Sequence, residues 1–341
     1  MPSDTTTGQE LSVRANLFVQ STRMQLSLVL PPEPDERWDK AKQIGINHAV
    51  YHSLELGDGR RPSQYDELLR VVNRYRDHGL EPAVFEGSVP LTDTTRLAMD
   101  GRDDEIDEFC RFLRNLGKLG VDVVCYDWMA GLRWARTSVT TPSRGDSLTT
   151  SYSDEQMRRG PAPAAARSTT ADDLWANLEY FLERVVPVAE EAGVKLGLHP
   201  DDPPIGDLRG MPRIINSPEA YERTLDVVDS PYNGITFCQG NFAAMGVDVP
   251  ATIQRFGDRI NFVHIRDVEG GADGFVETWH DDGPTDMAGA IQAYRDVGFD
   301  GPIRPDHVPT MAGEDNSTPG YHLSGKLFAS GYIRGLLDAT E

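Results

Sequence analysis

Residues of the types that bind metals close four runs of one repeated kind. His199 ends Lys195–His199, Cys238 ends Gly234–Cys238, His264 lies in Ile260–Ile265, and Asp306–His307 follow Pro302–Pro305. Imidazole nitrogen, thiolate sulfur and carboxylate oxygen are ligands for divalent ions. Singly, each residue reads as core, because a buried Cys or His more often packs than ligates. Jointly they point to chemistry. Neighbouring parallel strands lie about 4.8 Å apart. Four such strand ends can converge on one ion at about 2 Å from each ligand atom. His199, Cys238, His264 and Asp306 are therefore the candidate metal ligands.

Other polar groups stand close by in the chain. Asp201 and Asp202 follow His199 in HPDDPP. They can orient imidazoles, or form the turn before Pro203–Pro204. Arg266, two residues past His264, can hold a substrate carboxylate in a bidentate fork, or can form a surface ion pair. Glu86 stands at the end of a third such strand, just past Pro82–Phe85, and Asp127 at the end of a fourth, just past Val121–Tyr126. Either can contact a sugar hydroxyl or cap a helix.

Positioning these ends requires a particular scaffold. Eight short runs recur: Met24–Leu30, Ile46–Tyr51, Pro82–Phe85, Val121–Tyr126, Lys195–His199, Gly234–Cys238, Ile260–Ile265 and Pro302–Pro305. Their shortness and their Gly or Pro boundaries suit buried parallel strands. Amphipathic stretches at Ser63–His78, Asp104–Leu119 and Ala171–Ala192 lie between them. Ser217 reads as an N-cap with Pro218 at the first helical position. Gly120 and Gly298 read as helix ends. Eight alternating βα units predict an α/β fold, a (β/α)8 TIM barrel, with active ends at the C-terminal rim. A doubly wound open sheet is the weaker alternative, since no Gly-x-Gly-x-x-Gly follows the first strand. Residues 1–22 read as a polar leader. Residues 23–341 read as a single barrel domain interrupted by a long connection at 128–170, expected to act as a lid over the rim.

Composition bounds the partners. The chain has 341 residues, 39% hydrophobic, and no run near the ~20 apolar residues needed to cross a bilayer. The first residues carry no basic stretch followed by an apolar one, so a cytoplasmic location is expected. Three cysteines argue against a disulfide framework. A net charge of −21 without a Lys/Arg cluster argues against nucleic-acid and membrane partners. Lys is scarce beside Arg, which fits a salt-adapted surface as well as an ordinary acidic enzyme. A small-molecule sugar acid is the expected partner, and a homo-oligomer is compatible with the sequence.

Several segments resemble the mannonate dehydratase family. They are LGLHPDDPP, FCQGN, FVHIRDVEG and GPIRPDH followed by PGY, and upstream FEGSVP, CYDWM and RWART. The likeness runs from about residue 81 onward. It implies a xylose-isomerase-like barrel with one divalent ion, Mn2+ or Fe2+. It also implies dehydration of D-mannonate to 2-keto-3-deoxy-D-gluconate in hexuronate breakdown. Carried over by position, the ligands fall on His199, Cys238, His264 and Asp306, and the catalytic groups on His307 and Tyr321. Removing a proton alpha to a carboxylate needs a base, an acid for the departing hydroxyl, and positive charge on the carboxylate. The thiolate favours softer ions, whereas the resemblance implies Mn2+ or Fe2+. A metal-dependent sugar or sugar-acid epimerase or isomerase on the same barrel is the alternative, and a non-catalytic sugar-acid-binding barrel a third. Family members commonly carry Arg-Trp near the first strand, Thr-Gly-Ser after the cysteine and Gly after Asp-His. Here these positions hold MQLSLVL, Gln239-Gly240-Asn241 and Val308, so part of the substrate-binding wall differs.

Overall fold

A computed structural model describes residues 24–52, 63–87 and 89–340. The polar leader expected at residues 1–22 lies outside them. Eight parallel strands close a barrel: β1 (Gln25–Leu30), β2 (His48–His52), β3 (Glu81–Glu86), β4 (Val123–Asp127), β5 (Lys195–His199), β6 (Asn233–Cys238), β7 (Ile260–Ile265) and β8 (Pro302–Pro305). Each strand neighbours the next in sequence, and β1 pairs with β8 through Gln25 opposite Pro302. The (β/α)8 expectation holds, with strand bounds shifted by a residue or two.

Local sequence explains these elements. Strands buried on both faces need apolar residues on both, hence near-continuous apolar runs such as VVCY in β4. Alternation along β7 sends Phe262 and His264 into the barrel and Val263 and Ile265 toward the helices. The helix Pro218–Val227 begins as expected, with Ser217 Oγ accepting from the Ala220 N–H at 3.2 Å. Gly120 and Gly298 close helical segments at φ of 69° and 73°, a region open to glycine at no steric cost. Val50, Val84, Val123, Cys125 and Phe262 fill the barrel interior. A larger apolar layer lies between strands and helices. Full burial of each such side chain contributes about 1.5–3 kcal/mol.

The stretch 128–170, read from sequence as one long connection, contains secondary structure. Ser138–Pro142 and Leu148–Ser153 form two antiparallel strands. The second of them pairs with a hairpin, Val268–Gly271 and Gly274–Glu277, that follows β7. The four strands make a small sheet with its own apolar patch of Tyr152, Met157, Leu208 and Phe275, among others. All four strands are short, the first two are rich in Thr and Ser, and the pairing that joins the two hairpins spans more than a hundred residues, so local patterning carries little trace of the sheet. Among the described residues, no helix is long and apolar enough to cross a membrane.

Candidate active site

Strand register places the chemistry at one level. Cys238 on β6 stands opposite His264 on β7, and His264 opposite Arg304 on β8. Asp127 on β4 stands opposite His199 on β5, and His52 on β2 opposite Glu86 on β3. These residues ring the C-terminal end of the barrel. A cavity of about 330 Å3 opens there, lined by His199, Asp306, His307 and Tyr321 among others. That volume is enough for a small metabolite.

Ligand atoms of His199, Cys238 and His264 all lie within 4.8 Å of one another. His199 Nδ1 pairs with the Pro200 carbonyl at 2.7 Å, which leaves Nε2 as its ligand nitrogen. His264 is fully buried, yet its Nε2 has no hydrogen-bond partner. A buried imidazole nitrogen without a partner is costly unless something else occupies its lone pair. Asp306 stands beside the trio, its Oδ2 3.7 Å from Cys238 Sγ and 3.9 Å from His264 Nδ1. Two nitrogens, one sulfur and an adjacent carboxylate fit a divalent transition-metal ion.

Charge around this cluster is balanced by arginines. Arg304 donates to Glu86 at 2.6 and 2.9 Å and to Asp306 at 2.7 Å. Burial alone raises the Asp306 carboxyl, but His307, Arg304, His264 and Arg266 hold it well below the usual carboxylate range. It is therefore ionised, the form in which a carboxylate can bind a metal. Lys326, on the helix Leu323–Ala339, donates to the carbonyls of Pro305 at 3.0 Å and Asp306 at 2.6 Å. Burial and then Arg304 push this ammonium down to about 7.

His307 and Tyr321 face each other across the cavity wall, ring centroids 5.2 Å apart. His307 Nδ1 lies 2.7 Å from Glu277 Oε1. Burial, then Asp306, pushes the Tyr321 phenol well above its ordinary value, so it stays protonated. His52 also stacks on Tyr321, ring centroids 5.7 Å apart.

The structure gives Arg266 a different task from gripping a substrate carboxylate. Its Nη2 donates to Asp202 at 2.8 Å and Asn241 at 2.7 Å, Nη1 to Glu277 and Nε to Cys238 Sγ at 3.4 Å, while Nε also lies 3.1 Å from Asp306 Oδ2 as an ion pair. It is buried and absent from the cavity wall, a hub rather than a clamp. Gly240 makes room for it, since a Cβ there would meet Arg266 Cγ at 2.7 Å. Replacing Arg266 by Met leaves Arg136 as the one arginine shared by the buried carboxylates of Asp202 and Glu277, so one buried negative charge goes uncompensated and we expect a loss of about 3–5 kcal/mol. Urea denaturation reads this directly, and a change below about 1 kcal/mol contradicts the hub role.

The remaining candidates are equally engaged. Asp202 lies in the cavity wall but is gripped by Arg136, at 2.6 and 3.1 Å, as well as by Arg266. Asp201 bonds Arg213 and the Ile215 N–H, so neither aspartate orients an imidazole. Glu86 is held by Arg304, while Asp127 is held by Arg96, Arg133 and the Met129 N–H. Sequence reading missed Glu277, Arg136, Lys326 and His52. A faint signal existed for two of them. Lys326 interrupts the apolar face of the last helix, and His52 directly follows an apolar run.

A sequence model of the D-mannonate dehydratase (UxuA) family matches residues 40–165 and 162–341. The chain belongs to the mannonate dehydratase family. Mannonate dehydratase of Streptococcus pneumoniae is 35% identical over 325 residues, covering 87% of each chain. That of Thermotoga maritima is 35% identical over 314 residues, 81% of this chain and 86% of its own. The crystal structure of mannonate dehydratase from Streptococcus suis serotype 2 superposes with a TM-score of 0.87 at 33% identity, covering 93% of this chain and 95% of that one. A D-tagatose 3-epimerase-like protein shares the fold alone, with a TM-score of 0.59 at 16% identity over 93% of this chain and 98% of its own. Membership in the mannonate dehydratase family thus rests on matches that span nearly the whole barrel, residues 40–341.

Proposed function

We propose that this protein is a metal-dependent hydro-lyase that converts D-mannonate to 2-keto-3-deoxy-D-gluconate. The observation that carries the reading is the cluster of His199, Cys238 and His264 at the barrel rim of a mannonate dehydratase family member. His199, Cys238, His264 and Asp306 would hold one divalent ion, Mn2+ or Fe2+. When bound, the ion supplies positive charge where negative charge develops on the substrate carboxylate.

His307 and Tyr321 are the acid–base pair. His307 is the base that removes the C2 proton, and Tyr321, kept protonated by burial and Asp306, donates its proton to the C3 hydroxyl. Water leaves C3 and an enol remains, which becomes the 2-keto acid when C3 gains the proton that His307 took and the C2 hydroxyl gives its proton back to Tyr321. With Arg266 enclosed, the substrate carboxylate is received by Arg133, which lines the cavity and whose side chain is 42% exposed. Asp127 pairs with the same guanidinium and orients it. Glu86 and Asp202 shape the cavity wall through their arginine partners.

The epimerase alternative calls for a second carboxylate ligand. Glu86 lies 3.5 Å from His264 Nε2, but both of its oxygens accept from Arg304. A cytoplasmic sugar-acid catabolic role follows from this activity.

The test is turnover of D-mannonate by purified protein reconstituted with Mn2+ or Fe2+, at low and at high salt. We expect 2-keto-3-deoxygluconate to form and its formation to stop with EDTA. Metal demonstrably bound without any turnover would remove D-mannonate as the substrate.

A further inference from the structure

A buried carboxylate that no part of the proposed reaction uses lies against the proposed base. Glu277 ends the strand Gly274–Glu277 of the small sheet and is 3% exposed. Its backbone is pinned, since it pairs with Val268 across the hairpin and its carbonyl accepts from Thr149 Oγ1 at 3.0 Å. Its side chain reaches out of the sheet to the barrel rim. There Oε1 lies 2.7 Å from His307 Nδ1, 2.5 Å from Arg136 Nη2, and against Arg266 Nη1.

Two arginines and two carboxylates form a closed square here. Arg136 bridges Asp202 and Glu277, and Arg266 bridges the same pair. The formal charges cancel, so a fully buried Glu277 remains ionised without a proton of its own. An ionised carboxylate only accepts hydrogen bonds. His307 Nδ1 therefore carries the proton in this contact. The competing arrangement has Arg266 Nη1 donating to a bare Nδ1, at 3.4 Å. That distance is long for a hydrogen bond. A bare Nδ1 would also face the carboxylate lone pairs at 2.7 Å, so the Glu277 contact decides the tautomer.

We propose that Glu277 is a positioning residue that fixes the tautomer and ring orientation of His307, presenting a bare Nε2 to the cavity. The small sheet thereby gains a task, since it carries to the rim the group that orients the base. Asp306 Oδ1, at 3.7 Å, is beyond hydrogen-bond reach of Nε2 and does not compete for it. The proposal rests on His307 being the base of the reading above, but the tautomer itself is measurable without substrate.

Two variants separate positioning from charge balance. Glu277→Asp keeps the charge for both arginines but draws the carboxylate back by one methylene. Glu277→Gln keeps the reach and loses the charge. The tautomer is read from two-bond proton–nitrogen correlations in 15N-histidine protein loaded with diamagnetic Zn2+, with His307 assigned by His307→Asn. We expect Nδ1–H in the wild type and in Glu277→Gln, and a mixture of tautomers in Glu277→Asp. In Glu277→Asp we also expect kcat on D-mannonate to fall about tenfold to 100-fold, with KM within about twofold of wild type. A purely structural Glu277 predicts the reverse ranking, with the aspartate variant intact and the glutamine variant unstable. An Nε2–H wild type, or a Glu277→Asp variant with unchanged tautomer and kcat, would overturn the proposal. A wild type that shows the Nδ1–H tautomer but does not act on D-mannonate would fail the functional reading alone.

Discussion

Cys238→Ala is expected to empty the metal site and to lower D-mannonate turnover by at least about 1,000-fold. Cys238 supplies the sulfur of the cluster and is fully buried, so no solvent ligand takes its place easily. A metal ion at a developing enolate is worth several kcal/mol of charge stabilisation. Each 1.36 kcal/mol corresponds to a factor of ten in rate. The loss should appear first as missing metal by elemental analysis, with the fold retained by circular dichroism. Replacement by Ala removes the Sγ that accepts from Arg266 Nε at 3.4 Å, but the guanidinium keeps its ion pair with Asp306 at 3.1 Å and its bonds to Asp202 and Asn241. Full metal occupancy in Cys238→Ala would remove this residue from the ligand set.

His307→Asn and Tyr321→Phe should act differently. Neither is proposed to bind the ion, so metal content should stay near that of the wild type. A positioned general acid or base contributes about 100-fold to 10,000-fold. We expect kcat to fall by that range in each variant, with the double variant much less than additive because both act in one proton relay. Tyr321→Phe is the cleaner probe. It keeps the ring that stacks on His52 and faces His307, and it deletes only the hydroxyl. Activity within about threefold of wild type in Tyr321→Phe would exclude the phenol as the acid. A coincident loss of metal in His307→Asn would point instead to disturbance of the neighbouring Asp306.

Acid–base chemistry here depends on a neighbourhood that long-range pairing builds. Glu277 and His307 are 30 residues apart, Arg136 and Glu277 141 apart, and Glu86 and Arg304 218 apart. Spacing along the chain carries no sign of such contacts. Arg266 illustrates the difficulty. Its place after β7 suggested a substrate clamp, and only its contacts to Asp202, Asn241, Glu277 and Asp306 identify it as an internal hub. The strands of the small sheet were hidden for a related reason. LTTSYS joins the sheet by pairing with GFVE more than a hundred residues away, SVTTP is added at its edge, and the pattern of both segments is polar.

The sequence by itself determined the eight barrel strands, their order, and the placement of His199, Cys238, His264 and Asp306 at strand ends. A strand enclosed on both faces must be apolar nearly throughout, so it announces itself locally, and a polar residue at its end stands out. Which arginines are enclosed by carboxylates, which carboxylate lies against His307, and what the stretch 128–170 builds were decided only by the tertiary structure. A buried charge takes its role from the partners that neutralise it, and those partners become neighbours only when the barrel closes.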